Sequence, residues 1–142
     1  MKSKFPAETT NPFAEVDHAQ STFKVSLQIQ DIAQHHRFDW CDAKEVIAKL
    51  YEELEEIIEA DASTPKRNEH IREELGDFLF TAISLARHYG IDPEVALTEA
   101  NYKFEYRFQK MAVILEANGL NFNCASRQQL EEAWHKVKSQ AE

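Results

Sequence analysis

Val46-Ile47-Ala48-Lys49-Leu50-Tyr51-Glu52-Glu53-Leu54-Glu55-Glu56-Ile57-Ile58 is the stretch whose reading decides the fold. Val46, Leu50, Leu54, Ile57 and Ile58 recur at steps of three and four, the spacing of one helix face. Asp42 followed by Glu45 is a capping box that starts this helix. Asp61-Ala62-Ser63-Thr64-Pro65 reads as the loop that ends it. Beyond the loop, Ile71, Leu75, Phe78, Leu79, Ala82 and Ile83 predict a helix from about Arg67 to Tyr89, with Gly90 where a C-cap glycine belongs.

The same grammar extends outward. Upstream, Phe23, Leu27 and Ile32 supply the inward face of a helix expected from about Asp17 to His36, joined to the next by Phe38-Asp39-Trp40. Downstream, Asp92 as cap, Pro93 in the first turn and Glu94 on the helix dipole open a helix with the stripe Phe104, Phe108, Met111, Leu115. Asn118-Gly119 ends it. Ser126 with Gln129 is a second capping box, opening a last helix through Leu130, Trp134 and Val137. Three Gly and four Pro in 142 residues are too few for a turn-rich β fold. The prediction is all-α, a four- to five-helix bundle: a flexible arm over residues 1–16, then one helical domain over 17–142.

Composition narrows the function. The net charge of −9 disfavours a nucleic acid polymer as partner. No run approaches the roughly 18 apolar residues of a membrane span, and no signal peptide is visible. Cys41 and Cys124 form no CxxC pair and read as free thiols. These features predict a cytoplasmic protein.

The carboxylates of the two central helices are not equivalent. At about 100° per residue, Glu53 falls about 60° from Leu50, inside the apolar sector, and Glu56 about 120° away, at its margin. Glu52, Glu55 and Glu59 point to the far side. Taking Leu75 as reference on the next helix, Glu74 falls at about 100°, bordering the apolar face, and Asp77 at about 160°, the furthest of the four. Carboxylates clustered in a partly dry place must take protons, find cations or bind metal. Two readings stand on geometry alone: a hard-cation site, for which Mg²⁺ or Mn²⁺ suits oxygen ligands, or an acidic solvated surface. Gly76, a mid-helix glycine costing about 1 kcal/mol against Ala, is expected to permit a close helix or ligand approach.

Glu52-Glu53-x-x-Glu56 followed by Glu74-x-x-Asp77 resembles the metal signature of the all-α NTP pyrophosphohydrolases. Within that superfamily the chain is similar to the MazG family. The matching stretches are Phe38-Asp39-Trp40, Glu73 to Phe80, Leu85-Ala86-Arg87-His88, Asn101-x-Lys103-Phe104-x-x-Arg107-Phe108 and Glu132-Ala133-Trp134-x-x-Val137-Lys138. The likeness runs from about residue 23 to 140. It implies Mg²⁺-dependent attack of water on the α-phosphate of an NTP or dNTP, releasing pyrophosphate. Glu53, Glu56, Glu74 and Asp77 would be metal ligands, with Glu53 or Glu56 taking the water's proton. Lys103 and Arg107 would contact the triphosphate, on a helix face away from the Phe104–Phe108 stripe. Trp134 and Lys138 would hold the nucleotide, and Lys49 would approach a phosphate. A homodimer is implied as well, in line with the apolar surface left over on so small a bundle.

Two departures accompany the likeness. Arg37 stands where the family often has Gly before Phe-Asp-Trp, and the chain carries one such domain where many relatives carry two. The alternatives are a narrower relative acting on dUTP or phosphoribosyl-ATP, a helical interaction module without activity, and a di-iron bundle. The last needs Glu-x-x-His motifs, for which only Glu15-x-x-His18 and Glu132-x-x-His135 are available.

Overall fold

Serine and aspartate side chains set where three of the helices begin. In the computed structural model, which describes residues 11–63, 65 and 67–140, α1 spans Thr22–His35 and α2 spans Ala43–Ala62; α3 is Asn68–His88, α4 Pro93–Ala117 and α5 Arg127–Gln140. No strand occurs among the described residues, so the protein is all-α, as the sequence predicts. Helix α1 starts later than Asp17. The Asp17 carboxylate accepts from Ala19 N–H at 2.9 Å, closing an Asx turn, and Ser21 Oγ takes the cap role by accepting from Lys24 N–H at 3.3 Å. At α2, Asp42 Oδ1 accepts from Glu45 N–H at 3.0 Å, while Glu45 reaches back one residue further than a standard box, to Cys41 N–H at 2.8 Å. At α5 the box is complete: Ser126 Oγ accepts from Gln129 N–H, and Gln129 Oε1 from Ser126 N–H.

Three helices end in the same six-residue turn. After α3 and α4 the left-handed position is held by Gly90 (φ +68°) and Gly119 (φ +70°). After α1 it is held by Arg37 (φ +65°). The hydrogen bonds are of one pattern: Ile91 N–H to Ala86 O, Leu120 N–H to Leu115 O and Phe38 N–H to Ala33 O, at 2.8–2.9 Å. The Arg37 departure therefore leaves the turn intact and places a side chain where glycine is the unstrained choice.

The chain divides into two compact units, Met1–Pro93 and Glu94–Glu142. In the first, α3 packs against both α2 and α1. Its buried residues are Val16, Gln30, Val46, Glu53, Ala60, Glu74, Thr81 and Ser84, a set rich in polar groups. Leu54, Ile58, Leu75 and Leu79, read from spacing as inward-facing, remain exposed on the single chain. In the second unit Met111 and Leu115 of α4 meet Ala133 and Val137 of α5. Phe108 extends this core by stacking on Phe122 at 4.4 Å. The expected arm lies largely outside the described residues; of its end, Asn11–Val16 turns back so that Val16 is buried.

Candidate active site

Helical spacing turns Glu53 and Glu56 of α2 toward Glu74 of α3. One carboxylate oxygen from each lies within 4.8 Å of the others. Glu53 is 4 % and Glu74 9 % exposed, and the Oε2 atom of each is buried without a hydrogen-bond partner. A buried carboxylate oxygen left unpartnered is costly. The Glu56 carboxyl answers part of that cost by holding a proton: hydrogen bonds with Glu74 and then Glu53, followed by burial and the repulsion of those two charges, push its pKa up to about 7. The donor set is three hard oxygens with two unpaired positions, which fits a divalent cation of the Mg²⁺ kind and offers nothing to a soft metal.

Two basic side chains sit at the rim. Lys49 Nζ lies 3.0 Å from Glu53 Oε1 and 3.3 Å from Glu52 Oε1, and the Glu53 hydrogen bond raises the ammonium's pKa. His70 Nε2 lies 3.7 Å from Glu74 Oε1, one helical turn upstream on α3. Sequence reading passed over His70, although its i, i+4 relation to Glu74 was there to find. Asp77 is exposed and lies outside the three-carboxylate group, in keeping with its angle, the furthest from the apolar face. Of the two approaches expected at Gly76, that of a helix of the same chain is not seen among the described residues, since a Cβ there would meet nothing within 4 Å. The two Glu-x-x-His pairs join no metal-type group among the described residues, which removes the basis for a di-iron centre.

A second polar cluster joins two of the family-like stretches. Asp39, in the α1–α2 connection, accepts from Arg87 Nη2 at 2.7 Å and lies 3.3 Å from His88 Nε2, both on α3. Arg87 Nε also donates to Gln30 Oε1 of α1 at 3.3 Å, and Gln30 Nε2 donates to the Phe80 carbonyl at 3.0 Å. Burial alone would raise the Asp39 pKa; the Arg87 and His88 hydrogen bonds, the Arg87 charge and the Trp40 N–H outweigh it, and the net effect is a lowered pKa. This network ties α1 and α3 to the connection that leads into α2.

In the second unit the guanidinium of Arg107 lies over the Trp134 ring, 5.9 Å from its centroid, and Trp134 packs on Phe104 at 5.5 Å. Arg107 thus borders the aromatic stripe instead of facing away from it. Trp134 also packs against the Met111–Val137 core, so it serves as a structural anchor whatever else it does. Lys103 and Lys138 are exposed.

Two helices of an all-α protein thus bring three carboxylates, Glu53, Glu56 and Glu74, into one group that could hold a metal ion. Residues 42–112 match the family model of the MazG nucleotide pyrophosphohydrolase domain, half of the chain. The chain belongs to that family. It is 37 % identical over 113 residues to the nucleoside triphosphate pyrophosphohydrolase of Escherichia coli K12, covering 80 % of this chain and 43 % of that protein. It is 36 % identical over 124 residues to the nucleoside triphosphate pyrophosphohydrolase/pyrophosphatase MazG of Thermotoga maritima, covering 87 % of this chain and 47 % of that one. The chain thus spans less than half the length of these curated relatives.

Proposed function

We propose that this protein hydrolyses nucleoside triphosphates, ribo or deoxy, to the monophosphate and pyrophosphate. The observation that carries the reading is the Glu53–Glu56–Glu74 group with its two buried, unpartnered oxygens, in a chain of a nucleotide pyrophosphohydrolase family. Glu53, Glu56 and Glu74 would hold Mg²⁺, or Mn²⁺ in its place, with Asp77 as a fourth carboxylate from the next turn of α3. When bound, the cation neutralises phosphate oxygens and makes water more acidic.

The chain's own residues supply the rest. Glu53 or Glu56, both in the carboxylate group, is assigned to take the proton of the attacking water. Lys49, now on Glu53, is the residue that turns to a phosphate when a cation replaces it. Lys103, Arg107, Trp134 and Lys138 are assigned to the nucleotide, the cations to its phosphate charge and the ring to stacking. The exposed Leu54, Ile58, Leu75 and Leu79 support a homodimer that covers them. Two free, exposed cysteines accord with a reducing cytoplasm, and no helix among the described residues is long and apolar enough to cross a membrane.

The experiment is pyrophosphate release from a panel of NTPs and dNTPs with Mg²⁺, beside Glu53→Ala. Release that falls by more than about 100-fold in the variant, beyond what a supporting residue accounts for, is expected. No release from any nucleotide would leave a helical interaction module as the reading; release confined to dUTP would mark the narrower relative.

A further inference from the structure

Helix α4 carries a stripe of positive charge that runs one turn past the residues assigned to the nucleotide. Lys103, Arg107 and Lys110 stand at i, i+4 and i+7, within about 60° of one another around the helix. Like charges at these spacings repel. None of the three makes an ion pair among the described residues, in a chain whose net charge is −9. Glu99 stands four residues before Lys103, the favoured order for a helical ion pair, yet the two are not joined. An acidic chain that leaves three neighbouring cations unneutralised on one helix face offers that face to a polyanion.

Ring contacts give two of the heads a direction. The Arg107 guanidinium lies over Trp134, 5.9 Å from the ring centroid, and Trp134 packs on Phe104. The Lys110 ammonium lies over Tyr106, 5.2 Å from its centroid, as a helical side chain leaning back by one turn does. Phe104 and Tyr106 leave α4 about 160° apart, so the Lys110 head is turned away from the Trp134 side. Arg107 and Lys110 are nonetheless i, i+3 neighbours, with about 5–6 Å between their Cβ atoms. One pyrophosphate unit can bridge two such heads, and each hydrogen bond to its oxygens is charge-assisted. Lys110 and Tyr106 are both exposed, and a cation–π contact at an exposed site is weak enough for an anion to displace.

We propose that Lys110 is a further phosphate-binding residue, which with Arg107 takes the two phosphates furthest from the nucleoside, those released as pyrophosphate. The inference rests on the proposed triphosphate chemistry, with Trp134 as the nucleoside's contact. It is tested by a readout that does not need catalysis: calorimetric binding of inorganic pyrophosphate and of AMP to the full chain with Mg²⁺, for wild type, Lys110→Gln and Lys136→Gln. Lys110 and Lys136 are both exposed, so both variants are expected to fold, and they change the net charge equally. Lys110→Gln should weaken pyrophosphate binding about tenfold, the low end for a hydrogen bond to a charged group, and leave AMP binding unchanged. Lys136→Gln should alter neither. Pyrophosphate binding that is absent in wild type, or unchanged in Lys110→Gln, would overturn the assignment. So would an equal loss in Lys136→Gln, the mark of a response to net charge alone, or an equal loss for AMP, which would put Lys110 at the nearer phosphate. Pyrophosphate binding that depends on Lys110, without pyrophosphate release from any triphosphate, would uphold the site and sink the hydrolase reading alone.

Discussion

Arg87 Nη2 lies 2.7 Å from Asp39 Oδ1, so the connection between α1 and α2 is clamped to the last turn of α3. Both side chains are 11 % exposed, which makes the pair costly to break from one side. Asp39→Ala leaves Arg87 with Gln30 and Ser84 as its partners among the described residues and is expected to cost about 3 kcal/mol, read by urea denaturation. The Asp39 pKa is lowered below 3.8 by folding. A lowered carboxylate stabilises the fold above its unfolded pKa, and that contribution is lost as pH falls below about 4. The acid limb of the stability profile should therefore be shallower in Asp39→Asn; an unchanged limb would show that the pair is not what acid breaks.

Glu56 predicts the opposite slope in metal-free protein. Its folded pKa of about 7 stands above the ordinary value of 4.5, so the folded state holds a proton that the unfolded state has released. Its contribution is complete below about 4.5 and is lost as pH rises through about 7. In EDTA the melting temperature should drop across that window, and Glu56→Gln should flatten the drop. With Mg²⁺ present the drop should vanish, because cation binding displaces the proton and strengthens with pH. A metal-free profile flat between pH 4.5 and 7 would refute the shared proton.

Lys49 gives a test of the same site through competition. Its ammonium is the near cation for Glu53 at 3.0 Å and is itself partly exposed, so Lys49→Ala is expected to cost only about 1 kcal/mol without metal. The loss should shrink when Mg²⁺ supplies the missing positive charge. Equal destabilisation with and without Mg²⁺ would mean that the cation does not bind beside Glu53.

Glycines and one arginine separate local strain from packing. Gly76→Ala should stabilise the isolated fold by about 1 kcal/mol, since the added Cβ meets nothing within 4 Å. Gly90→Ala, at φ +68°, should destabilise by a similar amount. Arg37→Gly should stabilise by up to about 1 kcal/mol, reduced by the freer unfolded chain. Thermal melts rank all three. Should Gly76→Ala raise stability yet lower activity, a substrate or second copy must approach α3 at that glycine.

Much of the fold was legible in the sequence because its signals are local. Asp42 and Ser126 announced helix starts, Gly90 and Gly119 announced helix ends, and the steps of three and four in Val46–Ile58 and Ile71–Ile83 announced the helices between them. Angle alone separated Glu53 and Glu74, which are buried, from Glu52, Glu55 and Glu59, which are exposed. A cap and a helical face are decided by neighbours within a turn or two, so the chain carries that information in order. The α1 start was missed because Asp17 and Ser21 offer equivalent cap chemistry, and only the Asx turn at Asp17 chose between them.

What tertiary structure alone decided lies between residues far apart in the chain. It brought Asp39 to Arg87 and His88, set Gln30 against Phe80, seated Arg107 on Trp134, and left Asp77 outside the carboxylate group. It also left Gly76 open and the outer apolar positions of α2 and α3 exposed. Each of these depends on how two helices are rotated about their axes and how far apart they lie. A periodic pattern shows which face is apolar, but not which groups will meet across it, because that is settled by packing and by the need to pair buried charges.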